Sequence, residues 1–257
     1  MSSFFLFLNS QDTELGTSAS FSVDFSKTGI DFSDSEVCIS LDYVIFPNLI
    51  YPIRSGVSNR IAFSEGVGLT KYAVLADGNY DGTSFCTALK AAFEAQSLGR
   101  TYTVSISPIT NKITISATGT FSLNMSLSSR DMWKVLGFPY NATTATASTQ
   151  TGTMCCRLDG DPYVVLMLEN LDSPNVTSSF ASRGILDVIP LSSAFGDVIY
   201  HRPNERNNLV LGTTEQLKQI RVRITDIDGY DIPLGDNAEV FIKLRVISTQ
   251  VTWNGQV

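Results

Sequence analysis

The stretch from Glu36 to Pro52 constrains the chain more than any other. Val37, Ile39, Leu41, Tyr43 and Ile45 alternate with Cys38, Ser40 and Asp42, the two-residue period of a half-buried antiparallel strand. Val44 and Phe46 then make both faces apolar, which predicts a strand that leaves the rim of a sheet and enters a packed interior. Pro47 ends the ladder, because it has no N–H to donate and restricts the residue before it.

Further strand patterns flank this one. Residues 4–8 and 21–25 read as a strand pair at the beginning of a sheet. Residues 163–168 are apolar on both faces, as suits the central strand of a two-layer sandwich. Residues 185–190 and 196–200 are shorter strands. In residues 217–227, Ile220, Val222 and Ile224 alternate with Arg221, Arg223 and Thr225, and a hairpin partner is expected at 240–247. Residues 56–140 differ in character. Candidate strands at 60–63 and 71–75 precede a turn-dense segment, 77–82, and then one amphipathic helix near 83–97. Phe85, Leu89, Ala92 and Phe93 recur there at helical spacing, Thr83 or Ser84 is placed to cap the start, and Gly99 follows the end. Strands at 102–106, 112–116 and 120–127 come next, with a short helix at 130–136 stopped by Gly137 and Pro139. Residues 141–153, rich in Thr, Ala, Ser and Gly, read as a loop or linker.

A single long helix excludes repeating β-α units, and about eight strands lie outside 56–140. The expected fold is therefore all-β in the main: an antiparallel eight-stranded jelly-roll sandwich, residues 1–55 and 141–257, carrying an inserted small α+β subdomain, residues 56–140. An immunoglobulin-like sandwich is the alternative, but its Cys, Trp, Cys signature is missing.

Composition narrows the function. The 257 residues are 43% hydrophobic, enough for a core, and carry 18 basic against 25 acidic groups, a formal net charge of −7. No segment is strongly basic, so no direct nucleic-acid partner is expected. Cys38, Cys86, Cys155 and Cys156 have neither zinc-site spacing nor disulfide density, and read as small buried hydrophobes in a reducing compartment. The apolar run at 4–8 is too short for a signal-peptide core and lacks a preceding basic residue. The sequons at Asn124, Asn141 and Asn175 are accordingly expected to stay unmodified.

Catalytic motifs are missing from the sequence. His201 is the one histidine, beside Arg202 and Pro203, and there is no phosphate-binding glycine loop, nucleophile elbow or zinc helix. The chain is not expected to be an enzyme or to need a cofactor. Asp226, Asp228, Asp231 and Asp236, with Gly229 and Gly235, form the one weak calcium candidate, since hard oxygen ligands on a loop suit that ion. Asp-Gly turns that simply end strands are the plainer reading, and it extends to Asp159 and Asp161. Trp133 and Trp253 could stack on sugars or merely pack. Arg221, Arg223, Lys243 and Arg245 on the outward face of the last strands, and Trp253 in a tail that could cross to a neighbour, are candidate interface residues.

Several motifs resemble one family. Leu8-Asn9-Ser10-Gln11-Asp12, the strand 21–25, Pro47-Asn48-Leu49-Ile50-Tyr51 after the long strand, Gly78-Asn79-Tyr80 before the helix, Leu136-Gly137-Phe138 and the paired strands near 220–228 and 239–246 are similar to the penton or minor capsid proteins of virophages, polinton-like elements and other tailless double-stranded DNA viruses. The resemblance implies a single jelly roll with an inserted domain, five copies of which close each icosahedral vertex. It also implies a structural protein of the virion, assembled inside the host cell, whose partners are copies of itself, neighbouring major and minor capsid proteins, and a vertex fibre or receptor. A non-vertex minor capsid protein and a receptor- or carbohydrate-binding sandwich head are the alternatives.

Overall fold

The computed structural model describes residues 2–12, 16–24, 35–66, 69–169, 171, 184–204, 208–211, 219–235 and 237–250. Its strands are, in chain order, β1 (Ser2–Asn9), β2 (Gly16–Thr17), β3 (Ser20–Asp24), β4 (Ser35–Pro47), β5 (Arg60–Ser64), β6 (Lys71–Val74), β7 (Tyr102–Ile106), β8 (Ile113–Asn124), β9 (Ala147–Thr151), β10 (Tyr163–Leu168), β11 (Ile185–Pro190), β12 (Val198–His201), β13 (Asn208–Leu211), β14 (Gln219–Thr225) and β15 (Phe241–Gln250). The helices are α1 (Gly82–Gln96) and α2 (Met132–Leu136). The chain divides into two units, Met1–Ile50 with Asp161–Val257, and Tyr51–Gly160.

The first unit is a jelly roll. One sheet has the order β1-β15-β4-β12, with β13 also on β4, and the other the order β11-β10-β14-β3-β2. Lettered B to I in chain order, the eight main strands lie as B-I-D-G and F-E-H-C, the two four-stranded sheets of that fold. All their pairings are antiparallel. Leu6, Leu8, Ile39, Leu41, Val44 and Phe46 from one sheet bury against Val164, Leu166, Ile220, Val222 and Ile224 from the other. β10 is buried on its second face too, where Val165 and Met167 meet Ile185.

β4 departs from simple alternation, and the cause is one residue. Lys243 of β15 pairs with Tyr43, but the next residue, Leu244, pairs with Leu41, so Asp42 is an extra residue on β4. This bulge reverses the parity of the strand. Val37, Ile39 and Leu41 point inward before it, and Val44 and Phe46 after it, all buried, whereas Tyr43 and Ile45 turn to the outer face and are half-buried. The expected passage into an interior apolar on both sides is therefore a switch of faces. The partner on this side of β4 is also divided, β12 pairing with 44–47 and β13 with 37–40.

Two expected strand pairs are corrected. β1 pairs with β15 and β3 with β14, so the two N-terminal strands belong to opposite sheets. β14 and β15 likewise lie in opposite sheets and form no hairpin. Alternation shows which face of a strand is buried but not its neighbour, and both long connections cross from sheet to sheet.

The second unit has its own core around β8. β7 and β9 pair with β8, β5 joins its far half, and β6 pairs with β5. α1 lays Phe85, Leu89 and Phe93 on this sheet. Phe93 stacks on Tyr102 at 5.0 Å and meets Phe63 edge-on at 4.8 Å. The N-cap is Asp81, two residues before Thr83 and three before Ser84. Its carboxylate accepts from Ser84 N at 2.7 Å while Ser84 Oγ accepts from Asp81 N at 3.0 Å, a reciprocal capping box. The bonds that Ser84 N and Ser84 Oγ donate to it hold the Asp81 carboxyl below its ordinary range.

The unit's boundaries fall at 50/51 and 160/161 rather than 55/56 and 140/141, because residues 141–153 are not a linker. β9 pairs with β8 through hydroxyls, Thr114 with Thr151 at 3.2 Å and Ser116 with Thr149 at 3.1 Å. Gln150 is buried and donates to Phe121 O at 3.0 Å and Ala145 O at 2.7 Å. The separate strands expected at 112–116 and 120–127 are one continuous β8.

Glu65, just past β5, ties the unit together. It accepts hydrogen bonds from Lys71 Nζ at 2.6 Å, Ser97 Oγ at 2.7 Å, Tyr102 Oη at 2.9 Å and Leu98 N at 3.1 Å. One carboxylate thus joins the ends of β5 and β6, the C-cap of α1 and the start of β7. Its side chain is 2% exposed.

Gly137 ends α2 at φ 69°, a left-handed conformation, and a Cβ there would run into the carbonyl oxygens of Met154 and Cys155. Gly137→Ala is expected to cost about 2 kcal/mol or more, from the left-handed backbone and the collision together. Thermal unfolding of the variant measures it.

Candidate interaction surface

The outer face of the β1-β15-β4-β12 sheet is apolar where a solvated strand face is ordinarily polar. Because β1 and β15 bury their even-numbered residues, Phe5, Phe7, Phe241 and Lys243 point outward. The bulge at Asp42 brings Tyr43 and Ile45 to the same side, and β12 adds Val198 and Tyr200. Phe5 is 47% exposed, Phe7 59%, and Val198 and Tyr200 61% each.

The rings form a row across four strands. Phe7 lies 6.1 Å from Phe241, Phe241 stacks 6.1 Å from Tyr43, and Tyr43 lies 5.7 Å from Tyr200. Lys243 is threaded among them, with Nζ 4.0 Å from the Phe5 ring centre, 5.4 Å from Tyr43 and 5.8 Å from Phe7. Its charge is met by Asp42 at 2.9 Å, and Asp42 also faces Arg202 at 3.8 Å. A cation held between rings and a half-buried carboxylate stiffens the surface without making it hydrophilic.

The other candidate residues are dispersed. Arg223 lies in the opposite sheet, bound to Glu169 at 2.6 Å and Asp231 at 2.6 Å. Burial opposes its charge, but these two carboxylates outweigh that and raise its pKa. Arg221 is exposed on the same strand, and Arg245 is half-buried on β15. Trp253 lies outside the described residues.

The acidic cluster is organised as a turn. Asp226 is buried, and its Oδ1 accepts from Asp228 N at 2.9 Å and Tyr230 N at 3.0 Å. Asp231 is engaged by Arg223, Asp228 is exposed, and Asp236 lies outside the described residues. Among the described residues no three acidic, histidine or cysteine side chains converge as metal ligands do. Asp159 binds Arg157 at 2.9 Å. His201 ends β12 and pairs through Nε2 with Asp187 Oδ2 of β11 at 2.8 Å, joining the two sheets. The pairing of His201 is not visible in its sequence neighbours. The four cysteines are free, but only Cys156 is buried: Cys38 and Cys86 are half-buried and Cys155 is exposed. Burial, with Cys86 and Cys155 nearby, pushes the Cys156 thiol up to about 12. Trp133 packs edge-on against Tyr140 at 5.5 Å.

No family model and no curated protein matches the chain. Among solved structures, 21 chains match. One is the crystal structure of the selenomethionine-labelled mavirus penton protein, 13% identical, covering 97% of this chain and 100% of that one at a TM-score of 0.47. The jelly roll itself is defined by the strand order of this chain.

Proposed function

We propose that this chain is a structural subunit of a viral capsid and that it works by assembly through the aromatic outer face of its jelly roll. The observation that carries the reading is that face, on a fold with the strand order that such shells use. The four most exposed side chains offer on the order of 400 Å² of apolar surface, worth about 10 kcal/mol gross when buried. That is roughly half the area one partner gives to a stable interface, and a polar rim supplies the rest. An apolar patch of about 400 Å² is in the range of the largest patch on a typical monomer, which is often functional.

Within the shell, the vertex is the preferred place, with five copies in a closed ring, and neighbouring capsid proteins and a vertex fibre or receptor as further partners. The short motifs that resemble those of penton proteins support that choice over a non-vertex minor capsid role. The virion is the corresponding location. Light scattering at several concentrations tests the reading. The expected result is a ring of about five copies at micromolar protein, unchanged by chelator because Asp226 and Asp231 are already occupied by amides and Arg223. A monomer at all concentrations that binds oligosaccharides would favour the receptor-binding head.

A further inference from the structure

The second unit contains an open strand edge beside a groove. Thr118 N donates to Thr101 O at 3.1 Å and Ser107 N to Lys112 O at 2.9 Å, so residues 101, 103, 105 and 107 bond toward β8. The N–H and C=O groups of Tyr102, Val104 and Ile106 therefore point away from it. Tyr102 N donates to Glu94 Oε1 of α1 at 2.9 Å, which places the helix alongside this edge. Toward its N-terminus α1 leaves the edge uncovered. A groove of about 760 Å³ separates Thr83, Cys86, Thr87 and Lys90 from Val104 and Ile106. Among the described residues, no hydrogen bond reaches the outward backbone groups of Val104 or Ile106. β7 also lacks the devices that ordinarily guard an edge, having no proline, lysine or bulge.

We infer that this groove accepts an extended segment of another polypeptide, which adds to β7 as an antiparallel strand. An open ladder of alternating donors and acceptors is complementary to a peptide backbone above other ligands. Five residues of β7 span about 17 Å, room for a strand of four or five residues. The groove is also electrically polarised. Asp81 and Gly82 stand at the Ile106 end, where a Cβ on Gly82 would lie 3.7 Å from Ile106 Cδ1. Lys90 stands at the Tyr102 end with its side chain 47% exposed, 4.0 Å from Glu94, whose Oε1 already accepts from Tyr102 N. A strand antiparallel to β7 runs from Asp81 toward Lys90, so its C-terminal side carries Asp, Glu or a free carboxylate. The site is separate from the aromatic face and does not depend on the assembly proposed above.

Phage displaying random heptapeptides, selected on the intact protein, test this. Enrichment of sequences alternating in β-branched residues, with an acidic residue toward the C-terminal side, is expected. The selected peptide, made synthetically, should bind Val104→Pro at least 10-fold more weakly, because proline removes one outward N–H at a place where an edge strand tolerates it. Lys90→Glu should weaken binding about 5-fold. Should Val104→Pro fail to fold, amide exchange in the wild type replaces it, with bound peptide slowing Val104 and Ile106 at least 10-fold and leaving Thr103 and Ser105 unchanged. No enrichment, equal binding by folded Val104→Pro, or unaltered exchange at Val104 and Ile106 would overturn the inference, whether or not the protein forms rings.

Discussion

Glu65→Gln is expected to destabilise the second unit by about 3 kcal/mol. Glutamine fills the same space but leaves the Lys71 ammonium without its counter-charge. It also presents an amide where Tyr102 and Ser97 donate to a carboxylate. Burial pushes the Glu65 carboxyl up, but the bonds from Lys71, Ser97, Leu98 and Tyr102 outweigh it and hold the group at about 2, against an ordinary 4.5. Burial, with the same contact to Glu65, raises the Tyr102 phenol well above its usual value. Above pH 4.5 the carboxyl is ionised in folded and unfolded chains alike, and the whole stabilisation is present. Between 4.5 and about 2 the unfolded chain takes up a proton that the folded chain refuses, and stability drains away. The difference corresponds to about 3 kcal/mol. In a Trp253→Phe background, Trp133 reports the unit by fluorescence. Urea unfolding at pH 7 and pH 3 should show a wild-type loss on acidification that the glutamine variant largely lacks. Equal acid sensitivity in both would show that other carboxylates control it.

Phe7→Asp combined with Tyr200→Asp is expected to abolish self-association while leaving thermal unfolding within a few degrees of the wild type. Both side chains are more than half exposed in the free subunit, so little core packing is lost. Placing two carboxylates in a face that assembly would dry imposes the desolvation cost of unpaired charge. Each single substitution should raise the dissociation constant at least 10-fold, and the pair at least about 100-fold. Arg221→Ala, on the opposite sheet, is the control and should change it less than 3-fold. Light scattering and native mass spectrometry read the result. A double variant that still forms rings would remove the aromatic face from the interface.

Much of the sandwich was legible because its strands are strongly patterned. β10, apolar on both faces, is central in its sheet, and β14 buries Ile220, Val222 and Ile224 as their alternation implies. The partners of those strands were not legible. The aromatic face had one sequence signal, the run Phe4-Phe5-Leu6-Phe7-Leu8, where every position is apolar and one side must therefore be left outside the core. Its other half had none, because Tyr43 and Ile45 share the parity of Val37, Ile39 and Leu41 until a bulge intervenes. β9 was hidden by composition: Thr and Ser serve a loop and a hydroxyl-paired edge equally well.

Strand periods, the amphipathic α1 with its end before Gly99, and the helix stop at Gly137 follow from local backbone and burial preferences, which act over a few residues. Long-range packing makes Asp42 an extra residue, gathers four donors from distant segments on Glu65, brings His201 to Asp187 and leaves one edge of β7 open. Each of these depends on which strand lies beside which, a choice made by the closing of two sheets over shared cores rather than by any one segment.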